Sequence, residues 1–176
     1  MDFSVILRVI WFILPAYVAN SVAIDVSAVP FLKKYTAPVD FGRTFREKRI
    51  LGDGKTWRGL VSAVIAGTIT GWLQGHYSPA FAAGITQSAT LGFLIGLGAM
   101  VGDMAASFLK RQSGMERGAM APILDQLDYI IMAFIFASPV VGFDFLFLLL
   151  ACAITVPIHV IANFVAYEIK LKKVPW

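Results

Sequence analysis

The run Phe145-Leu146-Phe147-Leu148-Leu149-Leu150-Ala151-Cys152-Ala153-Ile154-Thr155-Val156-Pro157-Ile158-His159-Val160-Ile161-Ala162-Asn163-Phe164-Val165-Ala166-Tyr167 contains no Asp, Glu, Lys or Arg. A helix that crosses the hydrocarbon core of a bilayer needs about 20 mostly apolar residues, and this run supplies them without a break. Similar runs lie upstream: Phe3 to Phe31, interrupted by Arg8, Asn20, Ser21, Asp25 and Ser27, then Gly59 to Gly75, Ala80 to Val101 and Tyr129 to Val140. The last is too short to span unless it begins near Ile123. Hydrophobic residues make up 58% of the chain and charged residues 15%, too few charges to cover a water-facing surface. Mean hydropathy is +0.74. The sequence therefore predicts an all-α polytopic membrane protein of about five transmembrane helices, a single membrane-embedded domain over residues 1–176.

The fifteen basic residues set the orientation. Eight fall between Lys33 and Arg58, three between Gly102 and Asp128, and three in the tail as Lys170, Lys172 and Lys173. The alternate turns, such as His76-Tyr77-Ser78-Pro79, hold none, and Arg8 is the one basic residue on the opposite side. Excess Lys and Arg mark cytoplasmic loops, so the N-terminus is expected outside, the C-terminus inside, and the two polar stretches at about 33–58 and 102–128 in the cytoplasm. Basic clusters of this kind serve the membrane flank and do not call for nucleic acid. Ala19-Asn20-Ser21 is a passable signal-peptide cleavage site, yet the positive charge follows the apolar run more heavily than it precedes it, against a signal peptide. A single cysteine, Cys152, excludes an internal disulfide and a Cys-based metal cluster. Gly67, Gly71 and Gly75, with Gly92 and Gly96 and with Gly98 and Gly102, recur every fourth residue and predict close helix packing.

Chemistry concentrates in the second polar stretch. Asp103, Ser107, Lys110 and Arg111 follow i, i+4, i+7, i+8 spacing and share one face if helical. Asp125 and Asp128 are three apart and share a face at the start of the fourth helix. Three carboxylates at a membrane boundary repel unless cations join them. An oxygen-only donor set points to Mg²⁺ bound by Asp103, Asp125 and Asp128. The plainer alternative is that these aspartates cap helices and pair with Lys110 and Arg111.

In the first polar stretch, Gly52-Asp53-Gly54-Lys55-Thr56-Trp57-Arg58-Gly59 has the Gly-Lys-Thr of a phosphate-binding loop but lacks its spacing, since Arg49 stands where the first glycine belongs. The local physics still suits phosphate: Gly52 and Gly54 free backbone amides, Lys55 and Arg58 bring charge, and Thr56 a hydroxyl at a helix N-terminus. Tyr17, Asn20 and Asp25 are polar groups at membrane depth, where such groups face a cavity or another helix. His76 and His159 read as isolated structural residues.

These residues resemble a known family. From Gly102-Asp103 through Ser107, Lys110-Arg111 and Ser113-Gly114 to Ile123-Leu124-Asp125-Gln126-Leu127-Asp128, the chain is similar to the signature of the bacterial phosphatidate cytidylyltransferases. Pro15-Ala16-Tyr17-Val18-Ala19-Asn20 and Gly54-Lys55-Thr56-Trp57-Arg58-Gly59 resemble the archaeal branch, the small five-helix CDP-archaeol synthases. Glu116-Arg117 replaces a bacterial Lys-Asp pair, Gln126 replaces an Arg, and a Pro-Gly-His-Gly-Gly turn is absent, so no role is carried to those three residues. The resemblance implies CTP and a membrane lipid phosphate as substrates, with catalytic Asp103, Lys110, Asp125 and Asp128. Two Mg²⁺ would sit on the three aspartates, and Asn20, Lys55, Thr56, Arg58, Ser107 and Arg111 would bind nucleotide and phosphate. It implies CMP transfer to an unsaturated archaeal ether-lipid phosphate. A phosphatidate-type enzyme acting on ester lipids and an ion-coupled transporter or flippase are the alternatives, the latter favouring charges near the membrane midplane. An enzyme joining CDP-lipids to alcohols is disfavoured, because Asp125-x-x-Asp128 is followed by Tyr129 and not by Gly.

Overall fold

The computed structural model describes residues 3–26, 29–77, 82 and 84–170. Five long helices carry the architecture: α1 (Phe3–Asp25), α2 (Trp57–His76), α3 (Ala89–Gln112), α4 (Leu124–Val141) and α5 (Phe145–Glu168). Four of them, α1, α3, α4 and α5, are long and apolar enough to cross a membrane. The other, α2, has 20 residues but carries four glycines and three threonines or serines among them, and it packs against both α1 and α3.

The α1 helix illustrates how sequence dictates packing. Pro15 lies inside it, and a mid-helix proline lacks the N–H that would serve the carbonyl four residues back. That carbonyl belongs to Trp11, and Gln74 of α2 donates to it from Nε2 at 2.7 Å. Gln87 donates to the neighbouring Phe12 carbonyl at 3.2 Å. Both glutamines are buried, so a backbone defect in one helix is satisfied by side chains from the next segments. Pro139 of α4 repeats the device within one helix, because Ser138 Oγ donates to the freed Ile135 carbonyl at 2.8 Å.

The glycine spacing has the predicted consequence. A Cβ on Gly71 would stand 2.6 Å from Gly92 Cα and from the Ser88 carbonyl oxygen, so α2 and α3 touch backbone to backbone. Val9, Phe12, Ile13, Leu91, Ile95, Ile130 and Phe134 form the buried centre where α1, α3 and α4 meet. Phe12 meets Phe134 and Phe147 edge-on at 5.0 and 5.6 Å between ring centroids.

Several boundaries differ from the expectation. The first helix ends at Asp25, short of Phe31, and a short 3-10 helix follows at Pro30–Leu32. The third begins at Ala89, well after Ala80, because Ser88 caps it by accepting from the Leu91 N–H at 3.1 Å. It then runs to Gln112, past Val101, since charged residues on one helical face do not end a helix. The fourth begins at Leu124 and so has the length its apolar run alone lacked. The loop expected over 102–128 is therefore only 113–123. Among the described residues, which are otherwise helical or loop, the first loop also contains one antiparallel hairpin, β1 (Thr44–Phe45) with β2 (Lys48–Arg49). Ser27, Ser78, Pro79, Lys172 and Lys173, used in the sequence reading, lie outside the described residues.

Candidate active site at the ends of the helices

The first long loop is built on Asp40, whose side chain is 1% exposed. Its carboxylate accepts from the backbone N–H groups of Gly42, Leu51 and Gly52 at 2.9–3.1 Å and from Arg49 Nη2 at 2.9 Å. Burial alone would raise its pKa; the Leu51 amide, Arg49 and the two glycine amides outweigh that and hold it at about 2. Arg49 reaches Asp53 Oδ1 with its other terminal nitrogen at 2.7 Å. The loop is also tied to the end of α3: Lys48 Nζ donates to the Gln112 carbonyl at 2.6 Å and Gln112 Nε2 to the Arg49 carbonyl at 3.2 Å. Residues 52–55 are thus presented from a fixed base.

That base aims Lys55 at α3. Lys55 Nζ lies 2.7 and 2.5 Å from the two Asp103 carboxylate oxygens. On α3, Asp103, Ser107, Lys110 and Arg111 do share a helical face, and Lys110 Nζ contacts Asp125 Oδ1 of α4 at 2.6 Å. Asp125 Oδ2 accepts from the Ala121 N–H at 3.0 Å, fastening the loop before α4. Asp128 makes no ion pair among the described residues and accepts only the Tyr129 N–H, at 2.6 Å. It nonetheless lies within electrostatic reach of both Asp103 and Asp125. Gly102 makes this possible: a Cβ there would collide with the Asp128 carbonyl, so only glycine lets the two helices bring Asp103 and Asp128 together.

The side chains open onto three adjoining hollows. One of about 270 Å³ is lined by Asn20, Lys55, Thr56, Arg58, Asp103 and Arg117 among others. A cleft of about 190 Å³ beside it gathers Lys55, Lys110, Arg111 and Arg117 around Ser107 and Gly52-Asp53-Gly54. The largest, about 410 Å³, contains all three carboxylates together with Lys110, His159 and Asn163. Every site residue expected from the sequence lines at least one of the three. Beyond the two lysine–aspartate pairs, Thr56 Oγ1 caps α2 by accepting from the Gly59 N–H at 3.3 Å, Arg58 Nη1 donates to the Leu32 carbonyl at 2.8 Å, and Arg111 Nη2 donates to the Glu116 carbonyl at 3.0 Å. Asp25 is exposed and lines none of them. His76 lines none of them either, and its Nδ1 lies 2.9 Å from the Trp72 carbonyl oxygen.

The donor set suits a hard divalent cation in kind, since it is all oxygen. Among the described residues no three acidic, His or Cys side chains form a ready-made metal-holding group, and lysines hold two of the three aspartates. Magnesium, however, is commonly bound through one or two carboxylates completed by substrate phosphates and water. Asp128, flanked by two like charges and lacking an ion pair, fits that pattern.

A family model described as "CarS-like: CDP-archaeol synthase" matches residues 3–176. The chain belongs to the CDP-archaeol synthase family. It is 42% identical to the CDP-archaeol synthase of Thermococcus gammatolerans, covering 95% of this chain and 94% of the relative. It is 42% identical to that of Archaeoglobus fulgidus, covering 98% and 99%, and 35% identical to that of Methanocaldococcus jannaschii over the whole of both chains. A solved structure described as "Structural insight into an intramembrane enzyme for archaeal membrane lipids biosynthesis" superposes with a TM-score of 0.73 at 37% identity, over 90% of this chain and 94% of that one. Membership in the CDP-archaeol synthase family makes this chain a multi-pass membrane enzyme.

Four residues around the site escaped the sequence reading. Asp40 and Arg117 sit in the loops, and His159 and Asn163 on α5. Asp40 carries no signal, because its role depends on four donors from one folded loop. Arg117 passed as a departure from the bacterial pattern, yet its guanidinium packs over Gly54, 3.5 Å from where a Cβ would be. For His159 and Asn163 the i, i+4 spacing of two polar residues in an apolar run was the available signal.

Proposed function

We propose that the chain transfers CMP from CTP to an unsaturated archaeal ether-lipid phosphate, giving CDP-archaeol and pyrophosphate. The observation that carries this reading is the cationic cleft of Lys55, Lys110, Arg111 and Arg117, set against carboxylates at the ends of membrane helices. Such a cleft suits a polyphosphate, and a lipid phosphate reaches it from the bilayer side. An oxygen of the lipid phosphate attacks the α-phosphorus of CTP, a new P–O bond forms, and the bond from the α-phosphorus to the bridging oxygen of the β-phosphate breaks as pyrophosphate leaves. No base has to remove a proton, because a phosphate monoester is already ionised near neutral pH.

The chain's own residues position and neutralise. Gly52 and Gly54 allow the loop backbone to approach phosphate, Lys55 and Arg117 face the nucleotide's oxygens, and Lys110 and Arg111 stabilise charge that builds on the leaving pyrophosphate. Asn20 supplies a neutral hydrogen-bonding group where the nucleotide hollow meets the carboxylates. Asp128 with Asp103 or Asp125 would hold Mg²⁺, which supplies Lewis-acid neutralisation of the phosphate oxygens. Lys55 and Lys110, which neutralise Asp103 and Asp125 in the free protein, are then available to the arriving phosphates. The clustered basic residues support five crossings with the N-terminus outside and the site towards the cytoplasm of a cell membrane, where CTP is found.

The test is turnover in detergent with Mg²⁺, CTP and a geranylgeranylated glycerol phosphate, scored by CDP-lipid and pyrophosphate in equal amounts. Absence of CDP-lipid from folded protein, or equal use of ATP, overturns the assignment. An ester phosphatidate run in parallel decides the lipid class, and faster turnover of the ester overturns the ether-lipid assignment.

A further inference from the structure

A groove of about 660 Å³ lies between the strap 32–37 and the first turns of α2. Its two walls are tied together: Arg58 Nη1 donates to the Leu32 carbonyl at 2.8 Å, and the Trp57 N–H donates to the Ala37 carbonyl at 3.0 Å. The groove is therefore a fixed feature of the fold. Its lining is largely apolar, with Leu32, Ala37, Trp57 and Val61, yet it also holds the cations Lys34 and Arg58 and no Asp or Glu. Among the described residues neither cation makes an ion pair. Lys34 Nζ sits over the Tyr35 ring, 5.1 Å from its centroid.

The groove opens onto lipid. The inner face of α2 is buried at Gly59, Ala63, Gly67 and Gly71, whereas Trp57, Val61, Ile65 and Ile69, four residues apart, are 42–53% exposed. Such a stripe on a membrane helix meets hydrocarbon, and Val61 belongs both to it and to the groove. Trp57 stands at the start of the stripe and Trp72 near its far end, as tryptophans do at the two surfaces of a bilayer. Two cations without a carboxylate partner at headgroup level, with an apolar track beyond them, fit a molecule that carries an anion on a hydrocarbon chain.

We propose that this groove binds an anionic phospholipid of the surrounding bilayer, its phosphate between Lys34 and Arg58 and one chain along Val61, Ile65 and Ile69. Thr36 and Ser62, also in the lining, bring hydroxyls to the phosphate. The groove is separate from the reacting centre: Asp103, Asp125 and Asp128 do not line it, and Arg58 alone is common to it and to the nucleotide hollow. A lipid seated here is a resident ligand and not a reactant, so its binding does not require the transfer reaction proposed above. A soluble phosphate would meet the same cations but gain nothing from the apolar track, which makes the bilayer the source.

The experiment places the full chain in phosphatidylcholine nanodiscs doped with phosphatidylglycerol, either lipid carrying brominated chains that quench nearby tryptophan. One variant keeps Trp57 alone, through Trp11→Phe, Trp72→Phe and Trp176→Phe; another keeps Trp72 alone, through Trp11→Phe, Trp57→Phe and Trp176→Phe. Trp57 is expected to be quenched at about tenfold lower mole fraction of brominated phosphatidylglycerol than of brominated phosphatidylcholine, and Lys34→Gln to cut that preference to about twofold, the strength of one basic side chain at an anionic lipid surface. Trp72 should respond equally to the two lipids. Equal quenching at Trp57, the same preference at Trp72, or a preference untouched by Lys34→Gln would mean ordinary bilayer contact and overturn the site. Millimolar glycerol phosphate should leave the Trp57 signal unchanged; reversal of the quenching would give the cations to a soluble phosphate and overturn the lipid assignment. Should the tryptophan variants fail to fold, native mass spectrometry of the wild-type chain and of Lys34→Gln carries the test. Wild type retains phosphatidylglycerol over phosphatidylcholine and Lys34→Gln loses that preference, whereas equal retention profiles overturn the proposal.

Discussion

Lys55 grips both carboxylate oxygens of Asp103, at 2.7 and 2.5 Å, although the two are 48 residues apart and on different elements. The contact joins the glycine-rich loop to the C-terminal half of α3, and both side chains are about a quarter exposed. Two charges at this depth, with solvent on one side, tolerate loss of a partner poorly. They also gain from a third partner, which a phosphate provides.

Lys55→Met is expected to lower kcat/KM by about 10²–10³-fold, the range for removing one charge-stabilising donor. Adding Asp103→Asn to that variant should cost less than Asp103→Asn alone costs wild type, since the two act as a unit. Pyrophosphate release measured across the double-mutant cycle checks this; strictly additive losses would show that the pair has no functional coupling.

Gly102→Ala introduces one methyl group where the Asp128 carbonyl already stands. The helices must separate, and destabilisation of about 1–3 kcal/mol follows. Activity should fall further than stability, because Asp103 and Asp128 are drawn apart. Thermal unfolding and turnover on the same preparation check it, and a fully active, equally stable variant would mean that α3 and α4 do not meet at this point.

Asp40 predicts a pH effect with a definite sign. Its pKa of about 2 in the folded loop lies below the usual carboxylate value of about 3.9. A depressed pKa contributes stability that is complete above about pH 4 and is lost as pH falls through about 2. Pepsin should therefore cut within residues 38–56 increasingly between pH 4 and pH 2. In Asp40→Asn the same cleavage should already occur at pH 4, with weaker CTP binding as residues 52–55 lose their base.

Divalent cation should bind with nucleotide and not before it. Calorimetry is expected to show little Mg²⁺ uptake by the free protein and clear uptake with CTP, lost in Asp128→Asn. Tight Mg²⁺ binding without CTP would contradict the pairing of Asp103 and Asp125 with lysines.

Gln74→Leu leaves the Trp11 carbonyl, freed by Pro15, with no partner in a buried place. A cost of about 1–3 kcal/mol is expected, seen as a lowered Tm with kcat unaltered in the surviving folded fraction. A stability equal to wild type would show that water or a neighbouring group takes over the carbonyl.

Much of the site was legible because its signals are local. Asp103, Ser107, Lys110 and Arg111 fall on one face through helical periodicity alone, and Asp125 with Asp128 likewise. That His159 lines the cavity with the three carboxylates was not legible, because one histidine in an apolar run says nothing of what it faces. Thr56 and Arg58, expected to bind nucleotide and phosphate, also hold a helix cap and the Leu32 carbonyl, partners that become visible only once the loop is folded.

Hydropathy and residue spacing depend only on a stretch's own composition, so the sequence alone determined that the chain is helical, membrane-embedded and acidic and basic at chosen helix ends. Which cation meets which carboxylate, where α3 begins, and that two of the site's hollows share the wall at Asn20 and Asp103 were decided by tertiary structure. The physical reason is the approach of backbones: Gly71 against Gly92 and Gly102 against Asp128 set the distances between helices, and those distances choose the side-chain partners.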